Sequence, residues 1–201
     1  RDGDTARHGA ELTPNHVHRS GEYLSRCLAD LGLADHIGVA RQIVHFTGYE
    51  LSIEALDLPD ARDRRLGQLL GTADVIGQTA DALYLEKCRG PLYDEFALCG
   101  MAGEPRPGMP PPIYRSRDDL MRQTPAFQAT LRRDRLDHHF DSAWRLLDNH
   151  FADANPYMPA IAAHVDRVEK MIARDDFSAL TGVPKPIMAA ELRARMQSPP
   201  N

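Results

Sequence analysis

The spacing of apolar residues is the feature that most restricts the fold of this chain. Between Thr13 and Gly32, apolar side chains recur every three or four positions, which is the period of one face of an α-helix. Similar spacing returns in most of the chain. No run of residues alternates between apolar and polar with a period of two, and no Asn-Gly or Asp-Gly turn joins two such runs. The sequence therefore predicts an all-α fold, arranged as a helical bundle.

The breaks between these patterns divide the chain into predicted helices and connections. We expect a polar loop over 1–14, a linker over 49–61 and an irregular, proline-rich segment over 99–113. Thr13 is the predicted cap of the first helix, and helix 61–80 is expected to be buried on most sides. We expect a helical domain over 1–100, with a C-terminal helical extension over 114–201 packed on it. The predicted helices cover 14–31, 34–46, 61–80, 81–98 with a bend at Gly90-Pro91, 116–123, 125–151, 156–173 and, more loosely, 186–197.

Composition excludes several classes of protein. The net charge is −5 and no run of Lys or Arg occurs, so the electrostatic pattern of a nucleic-acid binder is missing. No stretch of 18 apolar residues is present, which argues against a membrane span. The three cysteines, Cys27, Cys88 and Cys99, form no CxxC pair, and the chain opens without a secretory leader. We therefore expect a reducing compartment, the cytoplasm.

Three polar residues on apolar helices are candidates for a metal site. His16 lies in the first turn of helix 14–31, His45 in the last turn of helix 34–46, and Asp74 in the middle of helix 61–80. A carboxylate in a buried helix needs a cation, a hydrogen-bond donor or a metal ion. Three helices of a bundle can bring one ligand each to a common point. Two simpler explanations stay open: the helix dipole favours His45 at a C-terminus, and Asp74 could pair with Arg41 or Arg65.

Three further residues are candidates for substrate contacts. Arg19 and Lys87 carry the charge that a phosphate needs, although an exposed or ion-paired helix face is the commoner reason for such residues. Gln78 lies one helical turn after Asp74 and is expected to hydrogen-bond to it.

Three other histidines and the tryptophan are weaker candidates for the site. His18 is the alternative ligand if the helical register of His16 is shifted. His138 and His139 are adjacent, and neighbours on an α-helix diverge by about 100°, so no joint site is expected there. Trp144 is expected to anchor the packing of the C-terminal helices.

Three segments together resemble a known family. HVHRS at 16–20, IVHFTGYE at 43–50 and LGQLLGTADVIGQTADALYLEKCRGPLYDEF at 66–96 resemble the later part of HD-domain metal-dependent phosphohydrolases, most closely a bacterial subgroup. The resemblance covers about residues 1–100. It implies a helical bundle that hydrolyses a small phosphate ester, such as a nucleotide, with a divalent ion (Mn, Fe, Ni, Zn or Mg). It also implies that His16, His45 and Asp74 are metal ligands, with Asp74 catalytic, and it leaves open whether the protein is a homodimer.

The chain departs from the family pattern in one respect. The adjacent His-Asp pair that names the family does not occur anywhere in the 201 residues. We expect that the chain starts just after that pair, and the alternative is that this homologue has lost it. The alternative function, from a different class, is a non-catalytic helical binding or signalling module that keeps the scaffold without the metal.

Overall fold

The all-α prediction is confirmed by the computed structural model, which describes residues 9–152 and 154–181. Within these residues the only β-pairing is an isolated bridge between Ala102 and Tyr114. The first eight residues and the predicted helix 186–197 lie outside the described part. The α-helices are α1 (His16–Asp30), α2 (Ile37–Ile43), α3 (Ala61–Thr79), α4 (Tyr84–Lys87), α5 (Tyr93–Leu98), α6 (Arg117–Thr130), α7 (Leu146–His150) and α8 (Tyr157–Arg174).

Short 3₁₀ and π-helical segments join these helices. A 3₁₀-helix over Val44–Thr47 extends α2, and a π-helix over Cys88–Leu92 carries the chain through the Gly-Pro bend between α4 and α5. Proline cannot donate the backbone hydrogen bond of an α-helix, so the wider turn at this point agrees with the predicted bend. None of the helices within 9–152 and 154–181 combines the length and apolar character needed to cross a lipid bilayer.

Glu50, rather than the predicted Thr13, caps the N-terminus of α1. The Glu50 carboxylate accepts hydrogen bonds from the backbone N–H groups of Val17 and His18, at 3.0 and 3.2 Å. Thr13 instead donates its hydroxyl to Glu95. The free N–H groups and the dipole of a helix N-terminus both favour a carboxylate, so a residue 33 positions away replaces the local cap.

The predicted helix boundary near residue 124 is wrong. Helix α6 continues past Pro125 and passes directly into a second π-helix over Leu131–His139. The chain turns only afterwards, where Asp141 and Ser142 adopt left-handed backbone angles, with φ of 50° and 51°. The apolar spacing continues across this turn, so periodicity alone did not reveal it.

In the described part of the chain, most buried apolar side chains form two clusters, each built from both sides of the proline-rich segment 99–113. The C-terminal helices thus pack directly on the first hundred residues. The first cluster contains Phe46, Ile53, Leu56, Leu58, Val75, Ile76, Leu131, Leu136 and Phe140. The second contains Tyr84, Leu85, Cys88, Leu120, Met121, Val168, Phe177 and Leu180.

Helix α3 buries its small residues and not its leucines. We expected this helix to be buried on most sides, which is wrong: Leu66, Leu69 and Leu70 are 46%, 37% and 41% exposed. The buried face instead carries Gly67 and Gly71, together with Thr72, Val75, Ile76 and Thr79. The glycines are needed because the rings of Phe46 and Phe140 lie directly over them.

Candidate functional site

His16, His18, His45 and Glu50 gather where the start of α1 meets the end of α2, and we call them the His45 cluster. Nδ1 of His16 lies 3.6 Å from Oε1 of Glu50 and 2.6 Å from the carbonyl oxygen of Thr13. Glu50 is only 19% exposed, whereas His16 is 57% exposed. The carboxylate is therefore fixed against the helix, and the His16 ring lies at the solvent edge of the cluster.

The His45 imidazole has an unsatisfied nitrogen. Its Nδ1 atom is buried and has no hydrogen-bond partner among the described residues. Burial lowers the pKa of His45, and the charges of His18 and Arg41 lower it further, against an opposing contribution from Glu50. A lowered pKa keeps the ring neutral near pH 7, and the neutral ring is the form that binds a metal ion.

A cavity of about 310 Å³ opens beside the His45 ring. Its polar walls come from two imidazoles, an amide and a guanidinium, which is suitable for a small anionic ligand. Nη2 of Arg41 also lies 2.6 Å from Oε1 of Glu22, so the cation is already paired at one side. The cavity is lined by His18, Gly21, Gly38, Arg41, Gln42, His45 and Leu51.

Asp74 is half-buried on α3 and bonds within its own helix. Nε2 of Gln78 donates to its Oδ1 at 2.9 Å, as the spacing of one helical turn allows. The alternative cations are engaged elsewhere: Arg41 with Glu22, and Arg65 with Asp141 at 3.6 Å.

The structure does not unite the three predicted ligands in one tight group. Within the described residues, the only set of three metal-ligating side chains whose ligand atoms all lie within 4.8 Å of one another is Glu54, His138 and His139. His16 and His45 share the neighbourhood of Glu50, and the Asp74 carboxylate lies close enough to Tyr49 and Arg135 to favour a higher pKa for each of them. The assignment of His16, His45 and Asp74 as metal ligands stays a prediction.

Arg135 is an anchor that sequence reasoning missed. Its Nη2 donates to the backbone carbonyls of Phe46 and Gly48, at 2.9 and 2.8 Å, and its guanidinium lies 4.5 Å from the centre of the Tyr49 ring. Burial lowers the pKa of Arg135, while Tyr49 and the carboxylates of Asp74 and Glu54 oppose the shift. An arginine in a charged stretch is usually exposed, so only tertiary contacts reveal that this one fixes the turn between His45 and Glu50.

The predicted phosphate-binding residues lie away from this cavity. Nζ of Lys87 forms an ion pair with Oδ2 of Asp81 at 2.5 Å, as the ion-pair alternative predicts. Arg19 lies exposed in the first turns of α1 and also has interactions of its own. Neither side chain lines the cavity beside His45.

The expectation that His138 and His139 diverge is wrong. Their ring centroids are only 5.0 Å apart, and Nε2 of His139 lies 2.9 Å from Oε1 of Glu54. Neighbours in a π-helix also diverge, by about 80°, so the closeness of the two rings comes from their side-chain conformations and not from the helix type. We call Glu54, His138 and His139 the His139 cluster.

Comparison of the chain with family models, with curated proteins and with solved structures finds no match.

Proposed function

We propose that this protein is a metal-dependent phosphohydrolase of the HD type, acting in the cytoplasm on a small phosphate ester such as a nucleotide. The observation that carries the proposal is the His45 ring, which lines the cavity between α1 and α2 and is kept neutral by burial. This ring adjoins a fixed carboxylate, Glu50, and a cavity with polar walls. The resemblance of segments 16–20, 43–50 and 66–96 to HD phosphohydrolases supports the same function.

The donor set suits a divalent transition metal. His16 and His45 supply imidazole nitrogens and Asp74 supplies a carboxylate, which is a combination typical of Zn, Mn, Fe or Ni sites. Such an ion supplies a Lewis acid for a phosphoryl oxygen and lowers the pKa of bound water.

The surrounding residues would position the reactants. Glu50 holds the N-terminus of α1 and so fixes His16 relative to His45. Gln78 restrains the Asp74 carboxylate through the hydrogen bond at 2.9 Å. Arg41 and Gln42, on the cavity wall, are placed to bind phosphate oxygens.

The test combines metal analysis with a phosphatase panel on the full chain. We expect bound divalent metal and hydrolysis of nucleotides or p-nitrophenyl phosphate. His45→Gln and Asp74→Asn should each lower kcat/KM by about 100-fold or more, because each removes a proposed ligand. His36→Gln is the matched control, since His36 is an exposed histidine outside the cluster. Unchanged metal content and activity in the His45 and Asp74 variants would refute the proposal.

A second candidate is a non-catalytic helical module that retains the scaffold. The observation favouring it is that His16, His45 and Asp74 do not form a compact group like that of Glu54, His138 and His139. Under this alternative, the full chain shows no phosphatase activity with any added divalent metal, while small phosphorylated ligands still protect it against thermal unfolding. Light scattering on the same sample would establish whether it is a homodimer.

A further inference from the structure

The His139 cluster lies on the surface above the first core cluster, and distant parts of the chain supply its residues. Glu54 belongs to the 3₁₀-helix Ile53–Ala55, and the two histidines end the π-helix Leu131–His139. Ile53 is buried in the same core cluster as Leu136 and Phe140. The backbones that carry the three side chains are thus fixed by neighbouring core residues.

The His139 ring is oriented toward Glu54. Its Nδ1 atom is buried without a partner among the described residues, so Nε2 is the nitrogen available to a ligand. Nε2 lies 2.9 Å from Oε1 of Glu54. Gln68 holds the backbone at this point by donating to the His139 carbonyl at 3.4 Å. The direction of Nε2 of His139 toward Glu54 is therefore already set before any ion binds.

The separations match those of a metal centre. Bonds of about 2.0–2.2 Å from a metal to nitrogen and oxygen place neighbouring ligand atoms about 2.8–3.1 Å apart in an octahedral site and about 3.3–3.6 Å apart in a tetrahedral one. The contact between His139 and Glu54 is in the first of these ranges, and all three ligand atoms lie within 4.8 Å of one another. Glu54 and His138 are exposed, so a change of rotamer can close the remaining distance at little cost.

Nearby charge is compatible with a cation. The Asp134 carboxylate lies close enough that His138 and His139 help to lower its pKa, after the larger effect of Arg133. Asp134 bonds to Arg133 at 2.6 and 2.9 Å, so its charge is largely balanced by that guanidinium and it is not counted as a ligand.

We propose that Glu54, His138 and His139 bind a divalent transition-metal ion of the zinc type, separate from the site proposed at His45. Two imidazoles and one carboxylate leave coordination positions for water. The ion joins segment 53–55 to the end of the π-helix. His138 follows Glu54 by 84 residues in the chain. The role of the ion is to tie two parts of the first core cluster together, because an ion that binds only the folded state stabilises that state.

The test is a Zn²⁺ titration of the full chain, prepared without a histidine tag, by calorimetry. Glu54→Gln, His138→Gln and His139→Gln should each weaken binding at one site by at least about 10-fold, and abolish the Zn²⁺-dependent rise in Tm assigned to that site. His36→Gln, which replaces an exposed histidine elsewhere, should change neither result. Far-UV circular dichroism checks that each variant is folded.

Two further results separate this proposal from the one for His45. In His45→Gln, binding at the His139 cluster should persist, and Co²⁺ bound there should keep its visible absorption spectrum. The proposal is overturned if the folded Glu54→Gln and His139→Gln variants bind Zn²⁺ and Co²⁺ as the wild type does. It is also overturned if the wild type binds neither ion. In either case the contact at 2.9 Å between His139 and Glu54 is a hydrogen bond alone.

Discussion

The His45 and His139 clusters are built alike but were not equally visible in the sequence. In each, a histidine directly precedes a fully buried phenylalanine: His45 precedes Phe46, and His139 precedes Phe140. The two phenylalanine rings lie 6.1 Å apart, so both clusters rest on the same part of the core. The linker between α2 and α3 supplies a carboxylate to each, Glu50 to one and Glu54 to the other.

The difference between the clusters lies in how far apart their residues are in the sequence. Glu50 follows His45 by five residues, whereas Glu54 and His139 are brought together only by the fold. His45 lies in a 3₁₀-helix and His139 in a π-helix, so the helix type does not decide which cluster could be predicted. The closeness of His138 and His139 depends on side-chain conformations, which the spacing along the chain does not fix.

The largest expected effect comes from Arg135, which lies between the two clusters. Arg135→Met should lower the free energy of unfolding by about 3 kcal/mol, because the carbonyls of Phe46 and Gly48 lose a buried donor. Urea unfolding measures this change. Arg133→Met, two residues away and exposed, should stay within about 0.5 kcal/mol of wild type. Equal effects in the two variants would show that the buried contacts of Arg135 contribute little.

The Gly71→Ala variant tests whether the packing of Phe46 and Phe140 against α3 requires a residue without a side chain at position 71. A Cβ at Gly71 would lie 2.5 Å from Cζ of Phe140 and 2.8 Å from the Phe46 carbonyl oxygen. Gly71→Ala should therefore cost about 2 kcal/mol in unfolding free energy through overpacking. Gly77→Ala on the same helix meets nothing within 4 Å and should stabilise by up to about 1 kcal/mol. A Gly71→Ala protein as stable as Gly77→Ala would contradict the packing described here.

The smallest expected effect is on the pH dependence of the free energy of unfolding, and it comes from the His45 imidazole. Its pKa in the folded protein is below the value of about 6.5 expected in the unfolded chain. Between the two values the unfolded chain binds more protons, so the stability from His45 is complete above about pH 6.5 and decreases as the pH falls through the folded pKa.

Urea unfolding in EDTA at pH 7 and pH 5 measures the contribution of His45. The wild type should lose more stability than His45→Gln on acidification, with a difference smaller than the two effects above. An identical loss in both proteins would show that the His45 ring is not held in its neutral form by burial.

Local sequence patterns predicted the fold better than they predicted the contacts between helices. The predicted bounds of α3, 61–80, agree with the observed bounds within one residue at each end. They could be predicted because caps and apolar spacing are local features of the sequence. The face that it buries was predicted wrongly, because leucines usually point to the core and the phenylalanine pair here selects glycines instead. Glu50 and Arg135 act on residues 32 to 89 positions away, so no local spacing could reveal them.

The most direct test of two separate metal sites is the metal content of four full-length proteins without tags, measured after dialysis against Zn²⁺. We expect two bound equivalents in the wild type, one in His45→Gln, one in His139→Gln, and none in the double variant, because each substitution removes a ligand from one of the two proposed sites. A double variant that binds as much metal as the wild type, or a wild type that binds none, would contradict this expectation.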